Sequence, residues 1–227
     1  MLGKVVSILG VCLVLVAGTL GCGENQQVDR MDTSVGVSAL VALADSHISS
    51  YANALDALAM TQEVQSGNWD EMVGLLTEVE QAQVPGTVWF VLPDGSYSSV
   101  DLGKTDQNIS DRAYFPGLIA GNKVLGNLVV SKSTGKKSLI AASPIIKDGE
   151  VIGGLGVSIF LDDLSNTLTE ELSLPDDMVF YATSEAGNVT LDSDTQLIFE
   201  TSPILAKNVV YKTSPLTGWR FALGYKD

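Results

Sequence analysis

Histidine and cysteine are nearly absent from this chain of 227 residues: it holds one histidine, His47, and two cysteines, Cys12 and Cys22. A disulfide framework, a Cys/His zinc site and a thiol nucleophile are therefore excluded beyond residue 22. A histidine-based triad has only His47 to draw on, within an amphipathic helical pattern and without a histidine partner, so a packing or helix-surface role is expected for it. Basic residues are also scarce, 13 against 27 acidic ones, and the formal net charge is −14. Phosphate backbones and anionic lipid heads need Lys and Arg, so a nucleic-acid partner and a basic membrane patch are excluded. The acidic balance is read as a solubility feature.

Motifs for phosphate and metal binding are missing too. Gly153-Gly154-Leu155-Gly156 lies inside a strand-like run, without the Lys and helix of a phosphate loop. Asp192-Ser193-Asp194 begins like a calcium loop, but Leu197 stands where the sixth-position Gly belongs and Pro203 where the twelfth-position Glu belongs. No metal, no cofactor and no enzyme site is expected. Two glycosylation sequons, Asn108-Ile109-Ser110 and Asn188-Val189-Thr190, decide nothing without a host.

What is present begins with a leader. Lys4 precedes an uncharged apolar run over residues 5–20, shorter than the roughly 20 residues of a membrane span. Thr19-Leu20-Gly21-Cys22 then resembles the lipobox of prokaryotic lipoproteins, with Thr where Leu is usual. The resemblance implies a signal peptide over residues 1–22, acylation of the Cys22 thiol, and an extracytoplasmic protein held at a membrane. An uncleaved anchor and an ordinary signal peptide are the alternatives. The polar run 23–32 suits a tether.

Residues 33–65 read as a helix. Val37, Leu40, Val41, Ala44, Ile48, Tyr51, Leu55 and Leu58 recur at three- and four-residue steps, and Asp32, Thr33 and Ser34 are N-cap candidates. Gly67 ends it. Asn68 and Glu71 form a capping-box pattern for a second helix that stops before Pro85-Gly86. A strand over 87–92 turns at Pro93-Asp94-Gly95 and returns through 96–100. Residues 102–108 read as a polar loop, and Ser110 as the cap of a short helix over 111–119. Strands over 128–131, 139–146 and 151–160 follow, joined by turns at Ser133-Thr134-Gly135 and Lys147-Asp148-Gly149. Asp162-Asp163 suit the positive end of another helix, which Pro175 ends.

The order of these pieces resembles the Cache family of extracytoplasmic sensor domains, relatives of PAS domains. The resemblance is carried by the R-x-Y-F of Arg112 to Phe115, the SKSTGKK turn, Ala142-Ser143-Pro144-Ile145, the DGEVIGGLGVSI strand pair and the DDLS that opens the next helix. It implies an α/β (α+β) fold: a PAS-like antiparallel sheet behind a long N-terminal helix, in a ligand-binding module over 33–161. Residues 162–227 would add a helix and a small C-terminal α/β module. There VFYATSEAGNVTLDSD parallels VWFVLPDGSYSSVD, and Ser214-Pro215 parallels Ser143-Pro144. Gly95 and Gly187 stand 92 residues apart, Ser143 and Ser214 only 71, so a repeat would be 21 residues shorter. That is about the length of the segment that carries Arg112, which suggests a double-Cache arrangement with an abbreviated second module; coincidence between two ordinary hairpins is the alternative.

The resemblance places the Arg112 segment over the sheet. A guanidinium matches a carboxylate two bonds at a time; Tyr114 offers a hydroxyl and a wall, Phe115 a wall. Trp89 and Tyr97 belong to the hairpin whose sheet lines the family's pocket, and Ser131, Ser143 and Ser158 are expected to fit a small or neutral ligand. The alternative for Arg112 is a surface pair with Asp111 or Asp106. In the amino-acid-binding subgroup the motif reads R-x-W-Y, a Tyr stands five residues before the Arg, and an Asp on the last meander strand takes the ligand's ammonium. Tyr114, Phe115, Gln107 and Ser158 stand at those positions here. A buried amine without an anion is costly, so α-amino acids are not expected to be the ligand. The implied function is a sensor for a small carboxylate or neutral metabolite. It would act through a separate membrane signalling protein, since no transmitter-like segment follows the last strand. A ligand-free structural or interaction lipoprotein is the other reading.

Overall fold

The computed structural model describes residues 31–132 and 134–227. The leader, the lipobox with Cys22, Cys12, most of the tether and Ser133 lie outside the described residues. The first helix, α1 (Thr33–Leu58), starts where Asp32 accepts the Ser34 and Val35 amides at 2.8 and 3.4 Å. Its buried stripe is the apolar one read from the sequence, from Val37 and Leu40 through Ile48 and Tyr51 to Leu55. The helix does not run on to residue 65. Thr61 breaks it: its hydroxyl donates to the Leu58 carbonyl and accepts the Val64 amide, which opens a separate turn, α2 (Gln62–Gln65). Gly67, at φ +70°, leads to α3 (Trp69–Gln81), whose cap Asn68 accepts the Asp70 amide and donates to Glu71.

Two antiparallel sheets pack on α1. The first has six strands in the order β3-β2-β1-β6-β5-β4, from β1 (Gly86–Val91), β2 (Ser96–Ser99), β3 (Gly103–Asn108), β4 (Val124–Val130), β5 (Lys137–Lys147) and β6 (Glu150–Phe160). The second has four in the order β8-β7-β10-β9, from β7 (Met178–Thr183), β8 (Val189–Asp192), β9 (Ala206–Thr213) and β10 (Arg220–Lys226). Between them lies α5 (Leu161–Glu171), tied to α1 by His47, whose Nε2 stands 3.1 Å from Glu171.

The second order repeats the inner four strands of the first. In each sheet a hairpin's first strand pairs antiparallel with the last strand of the following hairpin, β1 with β6 and β7 with β10. What the second lacks is the equivalent of β3, β4 and the helix between them. The Ser-Pro correspondence also has a structural counterpart. Ser143 donates to Asp56 and Ser214 to Asp45, the latter at 2.6 Å, so each sheet is pinned to α1 by a buried serine and a carboxylate.

Three further expectations change. Residues 103–108 form β3, an edge strand whose polar side chains suit a largely solvated position; polarity alone reads as a loop. The helix expected over 111–119 is only α4 (Phe115–Ile119), begun by Tyr114 without a side-chain cap and with Pro116 in its first turn. Strand β4 begins at Val124, four residues earlier than expected, because a bulge at Gly126 (φ +93°) interrupts its apolar run.

Candidate functional site

The first sheet's two faces do different work. Val88, Phe90, Leu139, Leu155 and Val157 join α1 in the main core. Trp89, Val91, Tyr97 and Ile140 face the other way, under Ile109, Tyr114, Phe115 and Leu118. Two glycines of β6 make room for this second layer. A methyl group on Gly156 would stand 2.2 Å from the Trp89 ring, and one on Gly154 2.8 Å from Leu118. The Gly-rich run read as a failed phosphate loop is thus the floor on which the indole and α4 rest.

Between floor and roof lies a cavity of about 20 Å³, room for roughly one water. Trp89, Tyr97, Tyr114 and Ser158 line it, with Arg112 and Lys132 beside Ser131. Trp89 donates its indole N–H to the Ser158 hydroxyl at 3.3 Å and stacks on Tyr114 with ring centres 6.3 Å apart. Tyr97 donates to Gln107 at 2.9 Å. Burial pushes the Tyr114 hydroxyl up to about 12, with Arg112 opposing, so it stays a donor through the neutral range.

The loop that carries Arg112 is shaped by Asn108. Its side chain accepts the Ser110 amide at 2.8 Å and donates to the Asp94 carbonyl at 2.9 Å. The half-buried Arg112 donates from Nη2 to the Val130 carbonyl at 2.8 Å. Its neighbour Asp111 pairs with Lys132, at 2.7 and 2.9 Å, and Lys132 also donates to the Asn108 carbonyl at 2.7 Å. Two cationic side chains therefore clasp the Arg112 loop to the end of β4, and among the described residues no acidic side chain lines the cavity.

Of the eight proposed ligand contacts, the fold brings together Trp89, Tyr97, Arg112, Tyr114, Ser131 and Ser158. It does not bring Phe115 or Ser143. Phe115 starts α4 and is buried in the outer core layer. Ser143 lies an odd number of residues from Ile140 along β5, so it faces α1 and Asp56 instead. Ile109, Val129, Ile140 and Lys132 line the cavity as well. Ile140 stands opposite Ser158 only because a bulge between Ile145 and Ile146 shifts the hairpin by one residue, which the turn does not reveal; Lys132 is signalled by its place next to Ser131.

Compared by sequence, the chain matches no family model and no curated protein. Its structure is similar to several solved ones. The sensor domain of the Vibrio cholerae histidine kinase DctB aligns at TM-score 0.65 and 14% identity, over 86% of this chain and 96% of that one. The ligand-binding domain of the Pseudomonas aeruginosa amino acid chemoreceptor PctC, solved with GABA, aligns at 0.62 and 16%, over 84% and 94%. That of the Pseudomonas fluorescens chemoreceptor CtaA, solved with L-serine, aligns at 0.63 and 14%, over 86% and 93%. These neighbours are sensor and receptor domains rather than enzymes. The described chain has the fold of the Cache-type sensor domains, a mixed α+β fold of antiparallel sheets on one long N-terminal helix.

Proposed function

We propose that the protein is an extracytoplasmic sensor that binds a small carboxylate in the cavity under Arg112. The supporting observation is the charge of that cavity's lining: two cationic side chains and no acidic one. A guanidinium offers a carboxylate a planar fork of donors, Tyr114 and Ser158 add hydroxyls, and Trp89 and Ile140 supply apolar walls for a short carbon chain. An ammonium group would meet two cations there, and the nearest carboxylate, Asp111, is already paired with Lys132. A neutral ligand of similar size fits the hydroxyls but leaves the cations unused.

The test is calorimetry with propionate, alanine and propionamide on the purified protein. Propionate is expected to bind best, and Arg112→Ala to weaken it by about tenfold or more. Stronger stabilisation by alanine than by propionate sinks the carboxylate assignment. A second reading, a structural lipoprotein with a filled cavity, is favoured by the 20 Å³ volume; it gains if none of the three compounds binds.

Signalling would pass to a separate membrane protein, through a ligand that prefers one state of the domain over another. We place the protein at a membrane surface through an acyl group on Cys22. Among the described residues no helix is long and apolar enough to cross a membrane. Cys22→Ser is expected to move the protein from the membrane to the soluble fraction and to abolish its labelling by a radioactive fatty acid.

A further inference from the structure

The clasp at the cavity mouth uses an anion of the protein's own. Lys132 has three donors, and three acceptors meet its Nζ: both Asp111 oxygens and the Asn108 carbonyl. Its side chain is only 29% exposed, whereas that of Asp111 is 67% exposed. The cation thus belongs to the cavity wall, and its carboxylate partner reaches it from the solvent side. The two cross-links run in opposite directions, Arg112 to the Val130 carbonyl and Lys132 to the Asn108 carbonyl, so they close the same gap from both sides. With both made, the space left is that of a single water.

Resting on the carboxylate reading above, we infer that Asp111 is a built-in competitor: it holds Lys132 until a ligand carboxylate takes its place, and Lys132 then serves with Arg112 as the second cationic contact. Three features support the exchange. Asp111 meets Lys132 from the solvent side and is itself 67% exposed, so returning its carboxylate to water costs little. Lys132 needs to move only its head, because an ammonium on a four-carbon stem reorients without shifting the strand that precedes it. Arg112 spends one of its donors on Val130 and keeps the others. The exchange trades one carboxylate for another, so it discriminates by charge: an anion can replace Asp111 and a neutral molecule cannot.

The experiment compares propionate with propionamide on the full-length protein and on two variants, by calorimetry. Asp111→Asn keeps the size of the side chain and removes its charge; it is expected to bind propionate about three- to fivefold more tightly and propionamide no differently. Lys132→Gln keeps a donor for the Asn108 carbonyl; it is expected to bind propionate about fivefold or more weakly, and Asp111→Asn added to it should then have no effect. If wild type binds propionate in an Arg112-dependent way but Asp111→Asn leaves the affinity unchanged or lower, the competitor role is overturned while the carboxylate sensor stands. If neither wild type nor Asp111→Asn binds propionate, both are overturned. Asp111 lies on an exposed loop and outside both cores, so the variant is expected to unfold at the wild-type urea midpoint.

Discussion

The outer faces of the two sheets share a strand order and differ in what covers them. On the first, β3, α4 and β4 build a roof held off the floor by Trp89 and Leu118, each seated over a glycine of β6. On the second, β8 is followed by residues 193–205, a short strap with one 3-10 turn (Thr195–Leu197) that bonds through Phe199 and Glu200 to Val189 at the sheet edge and sends Ile198 into the main core. That strap is drawn down by Asp192, which is fully buried and pairs across from Tyr181. Its two oxygens accept the Asp194 and Ile204 amides at 2.8 and 3.0 Å. One face thus keeps cations at the rim of a cavity, and the other buries a carboxylate to pull its cover shut. A strand order alone does not make a cavity; the length of the covering segment decides whether one is left, and its charge decides what lines it.

The largest expected effect breaks the first face. Gly156→Ala puts a methyl group where the Trp89 ring lies, so the ring must shift, and the cavity it lines is open space beside it. Overpacking of this kind costs about 1–3 kcal/mol. The variant should show a lower urea midpoint, and no propionate response even at temperatures where it is folded, because the displaced indole fills the site and drops its bond to Ser158. Wild-type affinity in Gly156→Ala would mean that the floor is softer than its packing indicates.

The second face should answer to pH. Burial pushes Asp192 up to about 6, and the two amide bonds only partly offset it. The folded state therefore holds this proton more tightly than the unfolded chain, whose carboxyl titrates near 3.8. The contribution to stability is complete below that value, declines as pH rises, and is gone above about 6, a change of about 3 kcal/mol in order of magnitude. Asp192→Asn, compared with wild type in urea melts between pH 4 and 7, should remove this downward slope. An unchanged slope in the variant would take Asp192 out of the account.

How much of this was legible follows the physics of each segment. The α1 stripe, the β5–β6 hairpin with Asp148 and Gly149 at φ +53° and +86°, and the apolar β1 stand out because burial and turn chemistry both mark them. Strand β3 is hidden because an edge strand bathed in water carries no apolar alternation. Ser143, expected among the ligand-fitting serines, turns to Asp56 because alternation sends every second side chain of β5 to α1. Lys132 in the cavity lining runs against the expectation for a Lys in a turn, which is ordinarily solvated. Asp192-Ser193-Asp194 has the spacing of a metal loop, and nothing local in it tells that a strap twelve residues on will bury Asp192.

The smallest expected effect concerns what the two sheets have in common. Asp45 and Asp56 lie eleven positions apart on α1, about 16 Å along its axis at 1.5 Å per residue, and each holds one serine. Replacing either by Ala removes a charge-assisted hydrogen bond to a buried hydroxyl and should cost about 1 kcal/mol in urea unfolding. The two sites are not equivalent. Asp56 borders an open groove and also pairs with Lys123 at 2.5 Å, so water can reach the space it leaves. Ser214 sits at the head of a tight turn and accepts the Leu216 and Thr217 amides at 3.1 and 2.9 Å, so its hydroxyl proton is aimed at Asp45 with little freedom to turn elsewhere. Asp45→Ala should therefore destabilise more than Asp56→Ala, and the double variant should lose the sum to within about 0.5 kcal/mol, because sites this far apart share no partner. A double variant that loses clearly more than the sum would mean that α1 couples the two sheets as a single lever, and the cavity under Arg112 would then have a mechanical route to the second sheet.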